Sequence, residues 1–153
     1  MSYMTKERGF EIVTKYEQAG IQLPKRATAH AAGYDIQAAA DMLIPADGTI
    51  KLVPTGLKAY MQTNEVLYLI NRSSGPYKRG LVLPNSVGVI DADYYNNEKN
   101  EGEIFVQIQS ISGQNVQIKK GDRIVQAIFM PFLTVDDDRA AGLRQGGFGS
   151  TGE

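Results

Sequence analysis

The chain has no cysteine and a single histidine, His30, among its 153 residues. The first absence removes disulfides, thiolate nucleophiles and cysteine-ligated zinc together. The second leaves no histidine cluster for a transition metal. Charge of one sign is missing too: sixteen basic residues stand against seventeen acidic ones, so no field draws nucleic acid or an anionic membrane. No apolar run approaches the roughly 18 residues of a membrane span, and residues 1–10 are too polar for a signal peptide. These absences point to a cytoplasmic protein. Its chemistry must run on carboxylates, hydroxyls, arginine and lysine, with a hard cation as the compatible metal.

What is present reads as short strands. Thr49 to Val53 ends at Pro54, and Val66 to Ile70 is a continuous apolar run of strand length. Glu103 to Gln109 alternates, with Ile104, Val106 and Ile108 on one face. Val116 to Ile118 is short, and Arg123 to Phe129 is mostly apolar. Turn signals lie between them at Asp47-Gly48, Gly80, Ser112-Gly113 and Lys120-Gly121-Asp122. Many short strands at close spacing predict an all-β jelly roll or β-barrel rather than alternating βα units. One short helix is expected after Ser73-Ser74-Gly75, capped by Ser74, with Pro76 at its first position and Gly80 at its end. With no repeat, linker or low-complexity tract, residues 1–153 form one domain, with 1–19 as an N-terminal segment and 143–153 as a flexible arm.

Five segments carry residues suited to a phosphate or a flat base. Arg72-Ser73-Ser74-Gly75 ends a strand where a helix begins, a place whose free N–H groups favour an anion. Arg72 adds a bidentate donor; a capped helix with a surface arginine reads equally well. In Leu83 to Tyr94, Gly88 sits between β-favouring residues and fits a hairpin whose backbone approaches something flat. Asp91 follows and is suited to take a proton from water, although an Asp-x-Asp turn is the plainer alternative. Ala32 to Ala38, with Asp35, and Gly121 to Gln126 each read alone as turns entering strands. The glycine-rich stretch from Gly146 to Gly152 carries one aromatic ring and two hydroxyls, with Arg144 just before it. It contains a GxGxxG spacing, but no helix can follow, so the dinucleotide reading is discarded.

Taken in order, AGYDIQA at 32–38, RSSG at 72–75, NSVGVIDADY at 85–94, GDRIVQ at 121–126 and GGFGSTG at 146–152 resemble the five motifs of the trimeric dUTPases. The polar stretch 95–102 resembles members from Gram-positive bacteria and their phages. The resemblance implies hydrolysis of dUTP to dUMP and pyrophosphate by a jelly-roll homotrimer whose sites use motifs from more than one chain. It makes Asp91 the general base for a water attacking the α-phosphorus. Asn85 and the backbone at Gly88 would read uracil, and Tyr94 would lie against the deoxyribose and exclude a 2′-hydroxyl. Arg72, Ser73, Ser74 and Gln126 would hold phosphates. Phe148 would stack on uracil as the arm closes, while Arg144, Ser150 and Thr151 hold the γ-phosphate end. Asp35 would be an outer-shell partner, through water, of Mg²⁺.

Three departures and two rivals accompany the resemblance. Val125 replaces a smaller residue, and only Gln145 separates Arg144 from the glycine pair. Residues 95–102 replace a short turn and read as a solvated longer hairpin or as a contact surface for a regulatory protein. A dCTP deaminase resembles the same fold, but its glutamate is expected on the strand after the third motif, where only Glu103 is found. A nucleotide-sensing binding module is the rival of a different class.

Overall fold

Twelve short strands, all paired antiparallel, carry the structure, a computed structural model that describes residues 5–148. In chain order they are β1 (Gly9–Ile12), β2 (Lys25–Arg26), β3 (Tyr34–Gln37), β4 (Met42–Ile44), β5 (Lys51–Pro54), β6 (Leu57–Tyr60), β7 (Glu65–Ile70), β8 (Leu81–Val82), β9 (Gly88–Asp91), β10 (Phe105–Ser110), β11 (Val116–Ile118) and β12 (Arg123–Pro131). Five of them form the main sheet in the order β2-β3-β12-β7-β9. A three-stranded sheet, β5-β10-β8, and two strand pairs, β1-β6 and β11-β4, complete the jelly roll. The ladders fall into four separate sets, so the barrel alternative is not realised as one closed sheet among the described residues. No helix is long and apolar enough to cross a membrane among those residues.

The core follows from the alternation. On β10, Val106, Ile108 and Ser110 are buried while Phe105, Gln107 and Gln109 are half-buried, the period-two pattern of a strand with one face on the core. Ile104 precedes the strand and is buried with them. β7 lies inside the main sheet and buries Val66, Leu67 and Leu69, which explains why its sequence is a run rather than an alternation. Ile36, Ile44, Val53, Leu57 and Ile118 close the same cluster. Each such side chain contributes about 1.5–3 kcal/mol relative to exposure.

Two local irregularities position functional segments. The register of β12 on β3 shifts between Arg123 and Val125. That bulge lets Ile124 and Val125 both be buried and brings Gln126 opposite Asp35. After β7 the chain makes one wide helical turn, Gly75–Arg79, with Pro76 in its first positions. It ends at Gly80, whose φ of 63° is left-handed. Position and termination match the sequence reading, but Ser74 makes no side-chain capping bond. Its own backbone is helical, φ −90° and ψ −15°, not in the extended conformation that aims a cap side chain at the first N–H groups.

Candidate active site

The segment Leu83 to Tyr94, expected as a hairpin, does not pair with itself: β8 pairs with β10, and β9 pairs with β7 at the edge of the main sheet. Leu69 faces Gly88 across the ladder and Val66 faces Asp91. A side chain at position 88 would put its Cβ 3.0 Å from the Leu69 Cβ, so glycine here lets the strands approach as well as leaving the backbone bare. The preceding turn is tied down by Ser86 N–H to the Leu83 carbonyl (3.1 Å) and Val87 N–H to the Asn85 carbonyl (2.8 Å). Leu83 N–H donates to Asn71 Oδ1 (2.9 Å), which anchors the turn to the end of β7. Asn85 is left exposed. Asp91 closes β9 with its side chain half exposed, and the helical turn Ala92–Tyr94 then buries the Tyr94 ring. Burial pushes the Tyr94 phenol above its ordinary pKa, against a hydrogen bond from Asn100 that favours the charged form.

These residues surround a cleft of about 190 Å³, lined by Asn85, Gly88, Asp91, Tyr94, Arg144 and Phe148 among others. Four of the six come from one motif and two from the arm. Phe105 and Gln107 also line it; they are the outward residues of β10, and the alternation that marks the inward ones marks these too.

The arm folds onto the end of β9 and the turn that follows it in its own chain. Arg144 donates Nε to Asp93 Oδ1 (2.6 Å), Nη2 to Asp91 Oδ2 and Nη1 to the Gly146 carbonyl (3.0 Å). Its side chain is only 13% exposed. The guanidinium thus sits on the two carboxylates that flank the cleft. Gly147 lies against the Tyr94 ring, where a Cβ would come within 2.9 Å of Cε2, and Gly146 lies against the Lys99 stem. Phe148 is largely exposed at the mouth. Ser150 and Thr151 fall outside the described residues. Asp93 is absent from the sequence-read site; its spacing of two from Asp91 was the available signal.

A second constellation joins the first, second and fourth motifs. Asp35 on β3, Gln126 on β12 and Ile70 on β7 share one row of the sheet. Arg72 donates Nε to Asp35 Oδ1 (3.3 Å), and Arg123 Nη1 lies 3.7 Å from Asp35 Oδ2. Gln126 Nε2 donates to the Asn71 carbonyl (3.2 Å). Gly33 leaves the space that the Gln126 amide fills, since a Cβ there would lie 2.2 Å from Oε1. Ser73 is exposed and Ser74 half-buried beside the turn. Gly121 to Gln126 enters a strand as expected, and the bulge there aims Arg123 at Asp35. Both Asp35 oxygens face arginines, which leaves the carboxylate poorly placed for direct ligation of a cation. No group of three or more metal-binding side chains occurs among the described residues.

The two constellations do not meet within the chain. None of Asp35, Arg72, Ser73, Ser74 or Gln126 lines the cleft. Asp91 pairs with Val66, four residues along β7 from Ile70, or roughly 13 Å at strand spacing. The cleft is also smaller than the ~300 Å³ at which small-molecule sites begin. Their charges are opposite: two carboxylates flank one arginine at the cleft, and two arginines flank one carboxylate in the second constellation. Glu103, the residue a deaminase would need, is buried with Oε2 accepting from Gly56 N–H (3.3 Å) and does not line the cleft.

The chain is similar to known proteins over most of its length. A profile of the dUTPase family matches residues 19–152. The chain is 60% identical over 149 residues to the deoxyuridine 5′-triphosphate nucleotidohydrolase of Lactococcus lactis subsp. lactis, covering 96% of this chain and 99% of that one. The crystal structure of the dUTPase from Streptococcus mutans superposes with a TM-score of 0.79 at 59% identity, over 84% of this chain and 98% of that chain. A variant dUTPase from phage phi11 of Staphylococcus aureus, described for coordination of a structural Mg(II) ion, shares the fold with a TM-score of 0.69 at 19% identity, over 90% and 98% of the two chains.

Proposed function

The chain belongs to the dUTPase family and is a nucleotidohydrolase of deoxyuridine triphosphate, and from that premise we propose that Asp91 is the general base of its reaction. The observation that carries this reading is the cleft that gathers Asn85, Gly88, Asp91, Tyr94, Arg144 and Phe148. Asn85 and the Gly88 backbone present hydrogen-bonding groups to the uracil edge. A pocket without room at C5 rejects thymine by shape, and cytosine fails by mismatched donors and acceptors. The Tyr94 ring lies against the deoxyribose and turns away a 2′-hydroxyl.

Asp91 takes one proton from a water whose oxygen bonds to the α-phosphorus. The bond from that phosphorus to the bridging oxygen breaks, and pyrophosphate leaves from dUMP. A positioned base contributes about 10²–10⁴-fold. In the resting chain Arg144 covers Asp91; on binding, its guanidinium moves to the γ-phosphate and releases the carboxylate. Ser150 and Thr151 join it there, and Phe148 stacks on the base. Arg72, Ser73, Ser74 and Gln126 hold the phosphates. Mg²⁺, bound mainly to the triphosphate, would neutralise charge that builds on the phosphates, and Asp35 would hold one of its waters.

The chain acts as a homotrimer, the phosphate constellation of one copy facing the cleft of another. The separation of the two constellations and their opposite charges support this. So does apolar surface after β12, where Leu133 is 98% exposed and Val135 75% exposed, a patch that a neighbouring copy would cover.

Pyrophosphate release measured with dUTP, dCTP, dTTP and UTP, with and without Mg²⁺, tests the reading. Release from dUTP alone, and only with Mg²⁺, is expected. Asp91→Asn is expected to bind nucleotide yet turn over at less than about a tenth of the wild-type rate; a faster variant removes Asp91 from the role of base.

A further inference from the structure

Residues 95–102 expose Asn96, Glu98 and Lys99 but close on Tyr94 through Asn97 and Asn100. Asn97 is buried, and its Nδ2 donates both to the Tyr94 main-chain carbonyl and to Asn100 Oδ1, each at 2.8 Å. Asn100 then donates its own Nδ2 to the Tyr94 phenol oxygen (2.9 Å), and the phenol donates to the Glu103 carbonyl (2.6 Å). The residue is therefore gripped at its backbone and at the far end of its ring. Asn100 is itself fixed, because Gly102 N–H donates to its Oδ1 (3.0 Å) and its backbone N–H donates to Asn97 Oδ1 (3.2 Å).

A phenol has one proton to give, and here the Glu103 carbonyl takes it. What Tyr94 offers the cleft is then the shape of its ring, not a hydrogen bond. Rejection by shape works only where the wall cannot give way, since a small shift of the ring would make room for one more oxygen on the sugar. We propose that Asn100 is a specificity-determining positioning residue: through the Tyr94 phenol it holds the ring rigid against nucleotides bearing a 2′-hydroxyl. This rests on the role given to Tyr94 under the proposed function. The amide, rather than a carboxylate, is what the position requires. A phenol already donating to Glu103 can accept from an N–H but would meet a carboxylate lone pair to lone pair.

The experiment compares kcat/KM for dUTP and UTP in the wild type, Asn100→Asp, Tyr94→Phe, their double variant and Tyr94→Ala. Asn100→Asp keeps the size of the side chain and its acceptor oxygen, and any effect of its charge on triphosphate binding cancels in the dUTP-to-UTP ratio. That ratio is expected to fall about five- to tenfold in Asn100→Asp, the scale of one lost buried hydrogen bond. Tyr94→Phe, which also loses the bond to the Glu103 carbonyl, should lower it at least as much, and the double variant should fall no further than Tyr94→Phe alone, because Asn100 acts only through the phenol. A ratio within twofold of wild type in Asn100→Asp, or additive losses in the double variant, overturns the inference. Should Asn100→Asp fail to fold, Tyr94→Phe breaks the same bond from the other side, and an unchanged ratio there overturns it equally. Tyr94→Ala separates the two levels. If it abolishes discrimination while Asn100→Asp does not, only the positioning role fails; if it too leaves the ratio intact, the role of Tyr94 itself is wrong.

Discussion

Glu103 is a carboxylate in the wrong surroundings. It is 4% exposed, no basic side chain forms a salt bridge with it among the described residues, and its Oε2 has one long hydrogen bond from Gly56 N–H. Burial raises its pKa above the ordinary 4.5, against the smaller opposing effect of that bond. An acid whose pKa is higher in the folded state binds more protons there, so it favours folding at low pH and loses stability as pH rises through the window from 4.5 up to the folded value. Glu103→Gln keeps an acceptor for Gly56 and removes the charge. Its thermal midpoint should exceed the wild type's at pH 8, with the gap closing as pH falls toward 4.5. Equal midpoints across that range would mean that water reaches the carboxylate.

At the scale of elements, the arm is separable from the fold. No member of the hydrophobic core lies beyond Phe129, and the arm's described contacts reach Asp91, Asp93, the Tyr94 ring and the Lys99 stem. Removing residues 146–153 should leave circular dichroism and the melting midpoint close to wild type while lowering kcat/KM for dUTP at least about tenfold, the lower range of one lost base–aromatic stack. Normal turnover by the shortened chain would end the lid reading. The same contrast explains what the sequence made legible. β7, β10, β11 and β12 announce themselves because each carries its own run or alternation; Val116–Ile118 agrees to the residue. β1, β4, β6 and β8 carry two to four residues each, and their pairing is set by distant partners, as in Gly9 opposite Tyr60. β6 is disguised further by Lys58, which is buried because its Nζ donates to Glu101 Oε2 (2.8 Å) and Asn96 Oδ1 (2.5 Å). The contacts of Arg123, Asp93 and Asn100 were illegible for a related reason. Each gains its role from a partner that only the tertiary fold supplies.

At the scale of the whole molecule, the proposed trimer would bring the two constellations together. If each site draws its phosphate groups from one copy and its cleft from another, two chains with different defects can complement each other. Arg72→Ala and Asp91→Asn, each inactive alone, should on refolding together recover about a quarter of wild-type activity, the share of sites in which both contributing halves are intact when three copies mix at random. No recovery in mixed oligomers would place the complete site within one chain. The resting pairing of Arg144 with Asp91 and Asp93 bears on the protein's tolerance of its surroundings. Binding a triphosphate exchanges one set of anionic oxygens for another around the same guanidinium, so few small ions are gained or released at that position. If Arg144 moves to the γ-phosphate as proposed, the arm's share of affinity is insulated from ionic strength.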